Sequence, residues 1–141
     1  MMNKNTRKSI VAMFAGAITG IVLSIATDLL LHAAGVFPPL SQSQPMSDSL
    51  FLLATAYRTI YGVLGAYITA RLAPSRPMGH ALILGAIGLA VCILGTAVTW
   101  NKGPAFGPHW YPLALVALAM PQSWLGAKFR ELQLRAATIA S

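Results

Sequence analysis

The stretch Ala12-Met13-Phe14-Ala15-Gly16-Ala17-Ile18-Thr19-Gly20-Ile21-Val22-Leu23-Ser24-Ile25-Ala26-Thr27-Asp28-Leu29-Leu30-Leu31-His32 decides the fold. It lies in an apolar run from about residue 10 to 34, long enough for a helix crossing a hydrocarbon core that needs about 20 residues. Every fourth residue is small or polar: Ala12, Gly16, Gly20, Ser24, Asp28 and His32. Residues four apart lie on one side of a helix, so this row lets a second backbone approach closely and then presents it with an acid and an imidazole. The other ionisable residue deep in an apolar stretch is Arg58, in the row Ala54, Arg58, Gly62, Ala66 and Ala70. The two rows are expected to face each other.

Three further apolar segments follow, near residues 50–72, 78–100 and 109–127. Of 141 residues, 56% are hydrophobic and only 9% charged, with 3 acids. A soluble domain carries about 25% charged residues, and the mean hydropathy here is +0.65. The reading is all-α: a four-helix transmembrane bundle occupying 1–141 as one membrane domain, with little chain left for a soluble unit. The first segment reads as a span and not as a signal peptide, because its apolar part exceeds the usual ~7–15 residues and contains Asp28.

The net charge of +7 comes from basic residues at segment ends. They form no patch interleaved with aromatics, so nucleic acid is excluded as a partner. Eight of the ten fall on one side of the four spans: Lys4, Arg7, Lys8, Arg71, Arg76, Lys128, Arg130 and Arg135. Lys102 is opposite and Arg58 is internal. The positive-inside rule then places both termini in the cytoplasm, and the expected location is the inner membrane of a bacterium. The single Cys92 excludes an internal disulfide.

Punctuation agrees with this order. Pro38-Pro39-Leu40-Ser41-Gln42-Ser43-Gln44-Pro45 and Asn101-Lys102-Gly103-Pro104-Ala105-Phe106-Gly107-Pro108 cannot continue a helix and read as external loops. Pro74-Ser75-Arg76-Pro77 is a short cytoplasmic turn that should leave the second and third spans adjacent. Trp100, Trp110 and Tyr111 suit the outer headgroup level. Pro121, beside Gln122 and Ser123, should kink the fourth span. Gly85 and Gly88 join Gly16, Gly20, Ser24 and Gly62 as close-packing positions.

Counted inward at 1.5 Å per residue, Asp28 lies about 10 Å and Arg58 about 15 Å below the outer edge. An unpaired charge at that depth costs about 2.5–3.5 kcal/mol, so the two should pair. Asp28, His32, Arg58, Tyr61 and His109 then form a candidate polar cluster in the outer half, with Tyr57 beside it. As a metal site it has two ligands, Asp28 and His32, and needs a third from another helix, so no metal and no cofactor is assigned. No nucleotide-binding, zinc-hydrolase or nucleophile-elbow motif occurs, and no catalytic residue is assigned. The cluster serves two readings. It locks helices in a structural or accessory protein whose partners are the bilayer, another copy or another membrane protein. Alternatively, it binds an external solute or lipid headgroup in a small transporter, channel or binding protein. Small multidrug exporters share the length and the four spans, but their first-helix acid is free to bind a cation, whereas Arg58 should neutralise Asp28 here.

Overall fold

The structure is a computed structural model, and it describes residues 2–41 and 44–141. Residues 42 and 43, in the middle of the first expected loop, lie outside the described residues. Four helices make up the described chain: α1 Lys4–Ala33, α2 Asp48–Leu72, α3 Pro77–Thr99 and α4 Trp110–Ala140, with a single 3₁₀ turn, Pro104–Phe106, before α4. Three of them, α1, α2 and α3, are long and apolar enough to cross a membrane. The apolar run of α4 is interrupted by Pro121, Gln122 and Ser123 and then passes into Lys128-Phe129-Arg130-Glu131 without a break in the helix. The expected fourth segment and the tail beyond it are thus one element.

Each boundary has a local cause. Gly35 follows α1 with φ +74°, and the amides of Val36 and Phe37 fold back onto the Leu31 carbonyl. A residue without a Cβ adopts this left-handed end freely. Ser47 precedes α2 in extended conformation, with Asp48 in the positively polarised first turn. Pro77 opens α3, where its missing amide costs nothing. Before it, Arg76 adopts φ +45° to make the turn tight. His80 Nδ1 then donates to the Arg76 carbonyl at 3.1 Å, and Nε2 lies 2.8 Å from the Ser9 hydroxyl, tying the start of α3 to the start of α1.

Helix α2 is the hub. It packs antiparallel on α1 and parallel on α4, while α3 packs chiefly on α4. The turn 73–76 therefore connects two helices that share α4 more than each other. The α1 side of α2 is formed by Tyr61, Gly65 and Thr69, one position round from the expected row. A Cβ on Gly65 would stand 2.6 Å from the Gly16 carbonyl oxygen, and one on Gly20 3.4 Å from that of Tyr61. The Thr69 hydroxyl donates to the Ala12 carbonyl at 3.1 Å and is fully buried. The expected row, Gly62, Ala66 and Ala70, instead faces α4 and α3: Gly62 lies under the Gln122 amide, and Ala66 and Ala70 pack with Ala81 and Ala127. The correction follows from side-chain length. An Arg reaches its partner from the flank of a seam, so Arg58 does not mark the seam's centre.

The other packing positions divide. Gly85 meets Ser123, whose Oγ would lie 2.5 Å from an added Cβ. Gly88 faces open space, so its expected packing role is not realised within this chain. Ser24 is half-buried on α1. Pro121 sits on the exposed side of an unbroken α4, so the carbonyl one turn back, on Ala117, loses its partner away from the bundle. Beyond these seams the helices present Phe14, Ile18, Ile25, Leu30, Leu52, Ile60, Ile87 and Leu94 outward.

The contrast between the two glycines is testable. Gly65→Leu should destabilise the fold by at least the ~1–3 kcal/mol of an overpacked core, whereas Gly88→Leu should leave the denaturation midpoint in detergent nearly unchanged. Equal midpoints for the two variants would refute this seam.

Candidate functional site

Going up α1 from the Gly16 contact, the next polar groups to meet α2 are Thr27 and Asp28. Asp28 Oδ2 accepts from Arg58 Nη2 at 2.5 Å, and Oδ1 accepts from the Tyr57 hydroxyl. One turn nearer the termini, the Tyr61 and Thr27 hydroxyls are 2.8 Å apart. Because the Thr27 hydroxyl also donates to the Leu23 carbonyl at 2.8 Å, Tyr61 is the donor in that pair. The Tyr57 and Tyr61 rings are 5.9 Å apart and brace each other. The result is a ladder of phenols and one guanidinium on α2, closed against hydroxyl and carboxylate acceptors on α1.

An apolar cap covers the loop end of this ladder. Phe37, Ala54 and Tyr57 are buried together, with Leu31, Met46, Leu50, Tyr61 and Tyr111 around them. Tyr111 in turn meets Phe51 at 4.9 Å between ring centres. The pair itself is not sealed: the Arg58 side chain is 35% exposed and that of Asp28 27%. Arg58 Nε is nevertheless buried and has no hydrogen-bond partner among the described residues.

The two histidines bond elsewhere. His32 Nδ1 lies 2.7 Å from the Pro38 carbonyl, with the ring edge-on to Phe37 at 5.3 Å, so it closes the loop after α1. His109 stacks on Trp100 at 4.0 Å and reaches the Trp100 carbonyl at 3.0 Å through Nε2, so it closes the α3–α4 loop. For His109 this follows from the free carbonyl at the C-terminal end of α3, and for His32 from the loop that folds back over the end of α1. Of the five residues read as one cluster, Asp28 and Arg58 bond each other and Tyr61 is one layer away. Among the described residues, no group of three His, Cys, Asp or Glu side chains is placed to share a metal ion.

What the site does chemically follows from the acid. An ionised carboxylate with each oxygen accepting one bond, one of them from a guanidinium, has its charge balanced in place and attracts a further cation less than a free acid would. Thr27, Gly65 and Thr69 were not singled out from the sequence as partners of α2 or α1. The signal available was the row Tyr57, Tyr61, Gly65 and Thr69, four residues apart and adjacent to the row that contains Arg58.

Removing one partner leaves the other stranded, at about 1.5–3 kcal/mol for a hydrogen bond to a charged group. Asp28→Asn and Arg58→Leu should each lower the unfolding midpoint, Tyr57→Phe should cost less, and exchanging the charges by Asp28→Arg with Arg58→Asp should restore part of the loss. Strict additivity of the two single changes in a double-mutant cycle would show that the pair contributes nothing. No family model, no curated protein and no solved structure matches this chain.

Proposed function

We propose that the protein is a four-span protein of a bacterial cytoplasmic membrane, with both termini inside, acting as a structural or accessory component and not as a transporter. The observation that carries this reading is the occupied carboxylate: both Asp28 oxygens are bound, by Tyr57 and Arg58, so the one acid inside an apolar run is already paired and poorly suited to couple a cation. The packing of α4 supports its role as the fourth span. Gln122 lies over Gly62, and Ser123 is buried, donating to the Ala119 carbonyl at 3.0 Å. The polar side chains that interrupt its apolar run thus turn inward, where a span tolerates them. Outward-facing Leu, Ile, Val and Phe on every helix suit hydrocarbon.

A second reading is favoured by one feature. Arg58 Nε is buried without a partner while a third of the side chain is accessible, which suits an external carboxylate or phosphate approaching the same guanidinium.

Topology is tested by reporter fusions: those after Gln44 and Gly107 should report the outside, and those after Ser75 and Ser141 the inside. A reversed pair would overturn the span assignment. Reconstituted into sealed vesicles, the protein should leave imposed proton and cation gradients intact. Gradient dissipation that disappears in Asp28→Asn would replace the structural reading with transport.

A further inference from the structure

Between the outward face of α2 and the last turns of α4 runs a groove of about 670 Å³, lined by Ile60, Leu64 and Tyr67 on one wall and Phe129, Leu132 and Ala136 on the other. Its walls are almost wholly apolar. Its polar element is a bridge: Arg71 Nη1 donates to the Tyr67 hydroxyl at 3.2 Å, and that hydroxyl donates to Gln133 Oε1 at 2.8 Å. Arg130 follows the lining residue Phe129 on α4. The groove thus combines a hydrocarbon-like channel with the Tyr67 phenol, and no acid is among its lining residues; two guanidinium-bearing residues flank it, Arg71 bonded to Tyr67 and Arg130 adjacent in sequence to Phe129.

We propose that this groove binds an anionic phospholipid, with an acyl chain along Ile60, Leu64, Phe129 and Leu132 and the phosphate against Arg71 and Arg130. Charge complementarity selects this occupant. An apolar helix would use the walls but would leave the guanidinium groups unanswered, whereas a phosphate gives Arg a bidentate acceptor. Position agrees, because Arg71 and the α4 tail lie at the end of the bundle that carries both termini and most of the basic residues. That is the side where anionic headgroups attract Lys and Arg clusters. Lys128, Arg130 and Arg135 on the tail, against one Glu131, add to the same field. The proposal rests on the membrane-spanning reading, so its test begins with insertion.

The full chain is placed in nanodiscs of phosphatidylcholine containing a minority of phosphatidylglycerol, then released into mild detergent and weighed by native mass spectrometry. Failure to insert into nanodiscs overturns the spanning reading and the site with it. After insertion, the expected result is a single retained phosphatidylglycerol, enriched over its share of the bilayer. Arg71→Gln with Arg130→Gln should lose the enrichment, as should Leu64→Trp, which fills the groove and leaves every charge in place. Lys4→Gln with Lys8→Gln, removing as much charge elsewhere at the same end, should keep it. Unchanged retention in the Arg double variant or in Leu64→Trp overturns the site. So does an equal loss in the Lys control, which would make the effect one of bulk charge. A lipid-free dimer would mean that a second copy occupies the groove, and also overturns it.

Discussion

The close approach of α1 and α2 at Gly16 and Gly65 sets the register on which the polar pair depends. Neither glycine has a Cβ, so the Gly16 carbonyl passes where a side chain would otherwise stand. From this point Asp28 is about 18 Å further along α1 and Tyr57 about 12 Å back along α2, at 1.5 Å per residue. The difference is closed by side-chain direction. On every helix the Cα–Cβ bonds lean toward the N-terminus, so Tyr57 and Arg58 reach toward the loop end while Asp28 leans down to meet them. Had the seam slipped by a turn, a carboxylate and a guanidinium would each face apolar side chains alone.

The central position of α2 follows from its composition. Its Tyr61, Gly65 and Thr69 row serves α1, and its Gly62, Ala66 and Ala70 row serves α4 and α3. A helix with small residues on two sides accepts two close neighbours, and α2 makes its most extensive contacts with α4 and α1. Where the surroundings are as apolar as Leu, burying Leu gains little, and helices associate through close van der Waals contact and hydrogen bonds. The buried side chains fit that account: Ala12, Ala66, Ala70, Ala81, Ala119 and Ala127, with Thr55, Thr69 and Ser123. The large aliphatic side chains are on the outside.

The hydroxyls in these seams are themselves satisfied locally. Thr27, Thr55, Thr59, Thr96 and Ser123 each donate to the carbonyl four residues back. Such back-bonding lets a polar residue face a neighbour without an orphaned donor. Thr69 departs from the pattern by donating across to Ala12. That crossing bond ties the terminus end of the α1–α2 seam, as the Asp28 cluster ties its loop end. Among the described residues Arg58 is the exception, with its Nε buried and unpartnered although the rest of its side chain is partly exposed.

The sequence by itself determined the helical class, the helix count, the loops and the presence of one acid and one base at compatible levels. These are local matters: the length of an apolar run, proline and glycine between runs, and a rise per residue that is the same in every α-helix. It also marked Gly16, Gly20, Gly62 and Gly85 as places of close approach, since a small residue permits contact whatever the partner is. Only the tertiary structure decided which partner each row met. Gly62 and Gly65 lie side by side on α2, and nothing in their own spacing assigns one to α4 and the other to α1. The histidines show the same limit. Their types and levels suited a cluster with Asp28, but each ring bonds a carbonyl of the adjoining connection, Pro38 for His32 and Trp100 for His109, and a carbonyl's direction depends on how the loop folds. Gly88 was equally eligible as a packing position, yet α3 turns that face away from the bundle. Periodicity states what a helix face can accept, and the azimuth at which neighbouring helices dock selects which face is used.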